Sequence, residues 1–255
     1  MASYRYERDI DPKDLKPYTE RTYTRRERWA NWWDYNLKWV IIGGIALAFV
    51  LYSFIGHYFF TVHPDYNVGV VSPYYLPEDT TNALQTALAA YGEDLNGDGQ
   101  VVVTVNVYTL NYSSDTETES DAYLTMAGTT KLAADLQSAL SGIFIVYDPA
   151  GFEESTGTFA YLDGSLPLAE SDDDWWNMVY RWTDCPVLTG LDLGSYGQDA
   201  AQASSGDSQE YLSHFYVGRR GVWSEAQAEN LEGTDELWSK LIAGAVSTVS
   251  ADDAS

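Results

Sequence analysis

Residues 143–147 read IFIVY, a short run in which every side chain is apolar or aromatic. Gly142 precedes the run and Asp148 follows it, so the run has the length of a strand and is bounded by residues typical of turns. A strand that is apolar on both faces usually lies inside a parallel sheet covered by helices. The run therefore predicts an α/β fold.

Four segments upstream of this strand extend the pattern. The sequence predicts a strand over 66–72, a helix over 78–91, a strand over 100–110 and a helix over 129–140. The order βαβαβ with short connections implies right-handed crossovers that place helices on the sheet. The prediction is a three-layer α/β domain with a mostly parallel or mixed sheet.

The second half of the chain carries weaker signals. They predict short helices over 149–155 and 172–178, strands over 158–161, 180–182 and 210–217, a polar surface loop over 198–209, and a helix over 225–244 interrupted at Gly233.

Residues 39–60, WVIIGGIALAFVLYSFIGHYFF, contain no Asp, Glu, Lys or Arg. As a helix this run crosses a hydrocarbon core of about 30 Å. A cleaved signal peptide has an apolar region of only about 7 to 15 residues, close to the N-terminus. A core helix or an interfacial helix would carry a polar or charged face, which this run lacks. The run predicts a single, uncleaved transmembrane helix.

Basic residues lie on one side of this run. Residues 1–38 hold nine of the 14 Lys and Arg, and arginine is concentrated just before the run. Positive charge close to a span stays cytoplasmic, so we expect a cytoplasmic N-terminus and an extracytoplasmic C-terminal domain at the cell membrane. The lipid bilayer is then a partner, and the anionic inner-leaflet lipids would lie near Arg21, Arg25, Arg26 and Arg28.

The region after the apolar run is strongly acidic. It holds 31 of the 38 Asp and Glu and five bases, a formal charge of −26, which makes nucleic acid and anionic membrane surfaces poor partners. Cys185 is the one cysteine, so no intrachain disulfide is possible, and the features together fit a bacterial cell envelope.

The predicted organisation is a disordered cytoplasmic tail over 1–21, a juxtamembrane and transmembrane helix over 22–61, an extracytoplasmic α/β domain over 62–247 and a disordered tail over 248–255.

The helix-to-strand segment Leu140-Ser141-Gly142-Ile143-Phe144-Ile145-Val146 resembles the first lobe of extracytoplasmic solute-binding proteins. In those proteins a short glycine turn leads from a helix into a strand of that lobe, and the likeness covers residues 66–150. The resemblance implies two lobes that close over a ligand. About 195 residues follow the membrane run, which is room for one lobe and part of another.

One motif matches a metal loop. Asp94, Asn96, Asp98 and Gln100 occupy the first, third, fifth and seventh positions of a calcium loop, with Gly99 at the sharp turn. The twelfth position holds Val105 instead of the bidentate Glu, so the motif is not an EF-hand. Calcium would need an acid from elsewhere, such as Glu93 or Asp115. The alternative is that Asn, Gly and Asp only form a tight turn.

Small ligands of open α/β sheets bind beyond the carboxyl ends of the parallel strands. That rule predicts a ligand site at Ser72, Tyr74, Tyr75, Asn111, Tyr112 and Asp148.

A run of three acids is followed by two tryptophans, at Asp172, Asp173, Asp174, Trp175 and Trp176. The run predicts the start of a helix with the aromatic side chains packed in the core. The alternative is that the tryptophans form a stacking platform for a sugar.

Motifs for catalysis are absent from the sequence, which has no HExxH, no GxSxG and no phosphate-binding loop. We therefore predict no catalytic residue. The expected function is a non-enzymatic binding or interaction module of the cell envelope, whose partner is a small ligand or another envelope protein. The alternatives are a transmembrane sensor of an external ligand and an envelope hydrolase that uses unrecognised carboxylates.

Overall fold

The computed structural model describes residues 22–59, 63–112, 119–167, 174–197 and 205–251 of the 255-residue chain. The chain divides into two compact units, residues 1–62 and residues 63–255. The predicted cytoplasmic tail, including Arg21, lies outside the described residues. Residues 252–255 of the predicted C-terminal tail lie outside them as well.

Helix α1, Arg25–Phe59, is the described element of the first unit. Oγ1 of Thr24 accepts a hydrogen bond from the Glu27 N–H at 3.3 Å, and the Glu27 carboxylate accepts one from the Thr24 N–H at 2.9 Å. This capping box starts the helix a few residues after the position near Thr22 that the sequence predicts. Among the described helices, α1 alone is long and apolar enough to cross a membrane, which is compatible with an anchor or a signal sequence.

The second unit is built on a mixed sheet. Its strands are β1 (Tyr66–Ser72), β2 (Val103–Thr109), β3 (Ile143–Val146), β4 (Val179–Arg181) and β7 (Tyr216–Arg219), and a separate short pair is formed by β5 (Ser195–Tyr196) and β6 (Gly206–Asp207). The order in the five-stranded sheet is β2-β1-β3-β7-β4. Strands β2, β1 and β3 are parallel, whereas β7 is antiparallel to both β3 and β4. The α/β prediction with a mixed sheet is confirmed.

The helices of this unit are α2 (Glu78–Ala89), α3 (Glu119–Ser138), α4 (Pro149–Thr156), α5 (Pro186–Thr189), α6 (Ser208–Leu212), α7 (Glu225–Asn230) and α8 (Thr234–Leu241). Helix α2 joins β1 to β2, and α3 joins β2 to β3. Leu84 of α2 belongs to the same buried cluster as Val70 of β1, whereas Leu132 of α3 belongs to a second cluster with Val71. Consecutive strand residues point to opposite faces, so the two crossover helices cover opposite faces of the sheet.

Two predictions in the second half of the chain are wrong. The strand predicted over 210–217 is α6 in its first part, because Asp207 caps a helix by accepting the Glu210 N–H at 3.0 Å, and only β7 is strand. The strand predicted over 158–161 is a single bridge between Phe159 and Arg220.

Other predictions there are close to the structure. The helix predicted over 225–244 is divided into α7 and α8 by Gly233, whose φ is +74°. Of the helix predicted over 172–178, a 3-10 turn at Trp175–Asn177 is present. Of the polar loop predicted over 198–209, residues 198–204 lie outside the described residues, and the remainder forms β6 and the start of α6.

Candidate functional site

The strand order creates a crevice at the carboxyl end of the sheet. Strand β2 lies on one side of β1 and β3 lies on the other. The connection from β1 to β2 and the connection from β2 to β3 therefore run in opposite directions along the sheet. Such a switch point is where open α/β sheets bind ligands. A cavity of about 400 Å³ lies there, lined by Val71, Pro73, Tyr74, Thr109, Leu110, Asn111, Tyr112, Leu124, Thr125, Tyr147 and Asp148.

The structure brings four of the six predicted ligand residues into this crevice. They are Tyr74, Asn111, Tyr112 and Asp148. Ser72 is fully buried beneath it, and its Oγ accepts the Tyr74 N–H at 3.0 Å. Tyr75 is exposed outside the crevice, where its carbonyl accepts a hydrogen bond from the Tyr211 hydroxyl at 3.2 Å. Ser72 and Tyr75 therefore shape the first loop without lining the cavity.

Asp148 is fixed at the start of α4. Its Oδ1 accepts the Gly151 N–H at 3.0 Å, the hydrogen bond of an N-cap. Gly151 is also where α4 meets Tyr112, since a Cβ at this position would lie 2.6 Å from Cβ of Tyr112. Burial raises the pKa of Tyr112, and the nearby Asp148 charge raises it further.

Tyr74 and Tyr147 form an aromatic wall of the crevice. Their rings meet edge to face, with centroids 5.6 Å apart. Burial, and then the neighbouring Tyr74, raises the pKa of Tyr147. From Tyr147 the aromatic contacts continue to Phe215 at 5.6 Å, from Phe215 to Tyr211 at 5.7 Å and from Tyr211 to Tyr196 at 6.0 Å. A row of aromatic rings thus runs from the crevice along this edge of the domain.

Sequence reasoning missed Leu124, Thr125 and Tyr147. Leu124 and Thr125 were missed because α3 was predicted to begin at 129, whereas it begins at Glu119. Tyr147 was read as the last residue of the buried strand, although β3 ends at Val146 and the Tyr147 side chain is 37% exposed. The available signal was the aromatic residue directly before Asp148, at a strand end that the switch-point rule already singled out.

Asp148 is the one acidic side chain among the described residues that line the crevice, and none of them is Lys, Arg or His. The hydrolase alternative requires two carboxylates facing each other across a cleft. The described lining does not supply that pair. His214 is exposed on the turn after α6 and does not line the crevice.

The predicted calcium loop is an ordered turn in which the side-chain oxygens accept backbone hydrogen bonds. Oδ1 of Asp94 accepts the Gly97 N–H at 2.7 Å, and Oδ2 of Asp94 accepts the Gly99 N–H at 2.8 Å. Asn96 accepts the Asp98 N–H at 2.9 Å, and Asp98 in turn accepts the Gln100 N–H at 2.8 Å. These contacts are those of the tight turn that the sequence offered as the alternative.

Asp65, which the sequence analysis did not single out, holds this turn to β1. Its Oδ1 accepts N–H groups of Leu95 and Asn96 at 2.9 and 3.1 Å, and its Oδ2 accepts the Val102 N–H at 2.8 Å. Glu93 pairs with Lys240 at 3.0 Å, and Asp115 lies outside the described residues. Within the described part of the chain, no three His, Cys, Asp or Glu side chains stand together as a metal site. Calcium binding by Asp94, Asn96, Asp98 and Gln100 stays a prediction.

Trp175 and Trp176, which follow the Asp run, lie at the buried cluster that contains Val71 and Leu132. Trp175 is buried in that cluster with Met178, and Trp176 packs against it. Asp174 accepts a hydrogen bond from the Tyr161 hydroxyl at 3.0 Å, whereas Asp172 and Asp173 lie outside the described residues. These contacts are those of core aromatics.

Comparisons of the chain with family models, with curated proteins and with solved structures find no match. The likeness of residues 66–150 to a lobe of solute-binding proteins stays a prediction from the sequence.

Proposed function

We propose that this chain is a membrane-anchored binding module whose extracytoplasmic α/β domain takes a small ligand in the crevice at the carboxyl end of its sheet. The observation that carries the proposal is the coincidence of a cavity of about 400 Å³ with the switch point of the strand order. Cavities of about 300 to 1,000 Å³ at such points are the usual ligand sites of α/β domains.

The composition of the cavity supports ligand binding over a purely structural role. Tyr74 and Tyr147 offer apolar ring surface, while Thr125 and Asp148 offer polar groups on two different elements. Ligand sites typically combine such a mostly apolar wall with a few fixed polar groups. Two lining side chains are fixed by contacts within the protein. Asp148 is held by its N-cap hydrogen bond, and Tyr112 is held by its close contact with Gly151.

Helix α1 supports the anchoring part of the proposal. The apolar side chains described from Trp39 to Phe54 are exposed, so the helix presents an uncovered apolar surface. Exposed apolar area of this extent is costly in water and favourable in lipid. The basic residues Arg25, Arg26 and Arg28 at its start favour a cytoplasmic N-terminus.

Cysteine labelling tests this topology. Cys185 is fully buried and burial raises its pKa to about 12, so the native chain is an unreactive background. We expect a membrane-impermeant maleimide to label Val246→Cys in right-side-out vesicles, because Val246 is exposed on the C-terminal domain. Thr22→Cys should react only after the vesicles are permeabilised. Labelling of both variants before permeabilisation, or a mature mass that lacks residue 22, would contradict an uncleaved anchor.

Native mass spectrometry tests the ligand site. We expect the full-length chain, purified in mild detergent from the cells that produce it naturally, to retain a small molecule. Thr125→Trp should abolish this retention, because the larger side chain fills the crevice. Thr130→Trp is the matched control, since Thr130 is exposed on the same helix and does not line the cavity. Equal retention of the small molecule in both variants would exclude the crevice as its binding site.

A further inference from the structure

The charge of the crevice separates the classes of ligand it can accept. Asp148 is acidic, and the described lining contains no Lys, Arg or His that could neutralise an anion. The region after the apolar run has a formal charge of −26, so the surrounding potential is also negative. An anionic ligand would be repelled by Asp148 and by the net charge of the domain, whereas a cation would be attracted.

The aromatic wall adds a second feature of cation recognition. Tyr74 is 58% exposed and Tyr147 is 37% exposed, so both rings keep accessible surface beside the cavity. The face of a tyrosine ring carries negative electrostatic potential and attracts a cation within about 6 Å of its centroid. Because the two rings meet at an interplanar angle of 86°, they present surfaces in two directions. Perpendicular aromatic surfaces are suited to a rounded ammonium group.

Asp148 completes this arrangement as the counter-charge. Its Oδ1 is occupied by the Gly151 N–H, whereas its Oδ2 accepts no hydrogen bond from a described residue. A carboxylate that accepts a hydrogen bond at only one oxygen can pair with a ligand cation through the other oxygen without first losing a protein contact. The volume of about 400 Å³ lies at the small end of ligand cavities, which favours a compact molecule.

We infer that the crevice binds a small organic cation of the ammonium class, held between the faces of Tyr74 and Tyr147 and the carboxylate of Asp148. This inference rests on the proposed function of the crevice as a ligand site. It adds the charge and chemical class of the ligand.

Calorimetry with two probes tests the inference on the full-length chain in a non-ionic detergent. The probes are choline and 3,3-dimethyl-1-butanol, the uncharged isostere of choline in which carbon replaces the ammonium nitrogen. The two probes have nearly the same shape and differ in the positive charge. We expect choline to bind at least about tenfold more tightly than the isostere, a difference of about 1.4 kcal/mol. Raising the salt concentration should weaken the binding of choline and leave that of the isostere unchanged.

Charge-removing variants locate the counter-charge. Asp148→Asn keeps an oxygen for the Gly151 N–H and removes the charge, so it should weaken choline binding about tenfold without affecting the isostere. Glu229→Gln is the matched control, since it removes an equal charge from an exposed position on α7 and should change neither affinity.

The possible failures are distinguishable. Equal binding of the two probes, or no binding of choline at millimolar concentration, overturns the cation inference. If the molecule retained in native mass spectrometry is still lost in Thr125→Trp, the crevice remains a ligand site of another class. If no molecule is retained and neither probe binds, the proposed function fails together with the inference.

Discussion

Replacing Asp135 with Ala should lower the free energy of unfolding of the α/β domain by about 3–5 kcal/mol. Asp135 is 3% exposed and accepts hydrogen bonds from the Tyr108 hydroxyl and from both the N–H and the hydroxyl of Ser141. Arg220 is also buried, with its Nη1 3.9 Å from Asp135. Removing the carboxylate would leave Arg220 as an uncompensated buried charge and the donors of Tyr108 and Ser141 without their acceptor.

The position of Arg220 makes this loss hard to repair. Its Nη2 donates to the carbonyl of Leu136 at 2.6 Å, while Nε and Nη1 make no hydrogen bond to any described residue. Burial lowers the pKa of Arg220, and the Asp135 charge opposes that effect. The two residues connect α3 to the bridge that follows β7, so the cost of the substitution falls on the packing of the sheet with its crossover helix.

Pulse proteolysis of the full-length chain across a urea series measures this change. Asp235→Ala is the matched control: the same residue type is removed from an ion pair with Arg219 at 2.7 Å, but Asp235 is 81% exposed. Its cost should stay below about 1 kcal/mol. The double variant Asp135→Leu with Arg220→Met should recover much of the lost stability, because both charges leave the interior together. A cost below about 1 kcal/mol for Asp135→Ala would show that Arg220 does not depend on this carboxylate.

Gly128→Ala should destabilise the domain by about 2 kcal/mol and weaken retention of the ligand proposed for the crevice. A Cβ on Gly128 would overlap the backbone carbonyl oxygen of Thr109, so α3 would have to move away from β2. We expect this overpacking to cost about 3 kcal/mol, and alanine returns about 1 kcal/mol through its higher helix propensity. Helix α3 also carries Leu124 and Thr125, so its displacement would alter the crevice.

The same proteolysis series and native mass spectrometry measure the two effects of Gly128→Ala. Gly197→Ala is the comparison, because a Cβ at Gly197 would meet no atom within 4 Å. We expect a change below about 0.5 kcal/mol and full ligand retention for Gly197→Ala. Similar stability and retention in both variants would mean that the approach of α3 to β2 is not a constraint on the crevice.

The first half of the domain followed from the sequence because its patterns are local and continuous. Strand β1 has the predicted bounds, and β3 differs from its prediction by one residue. The start of α3 was missed because Tyr123, Leu124 and Met126 are exposed and do not form the apolar stripe that marks a packed helix. Helix α6 was missed because Leu212 and Phe215, spaced as on a helix and its following turn, were read as part of an apolar strand.

The candidate site was likewise predicted from the sequence only in part. The switch-point rule identified the strand ends, and four of the six residues chosen from it line the cavity. Ser72 is the last residue of β1 and turns into the core, which the rule for strand ends does not address. Thr125 and Tyr147 came from the path of α3 and the exact end of β3, which depend on packing between segments distant in the chain.

The sequence by itself determined the long apolar helix, the division of charge on either side of it and the βαβαβ order, because each depends on residue types close together along the chain. The tertiary structure decided the mixed sheet order, the burial of Arg220 beside Asp135 and the joining of Tyr74, Tyr147 and Asp148 in one crevice. Those features require segments far apart in sequence to meet. Their geometry is set by the packing of two helix layers on a sheet, which no single segment encodes.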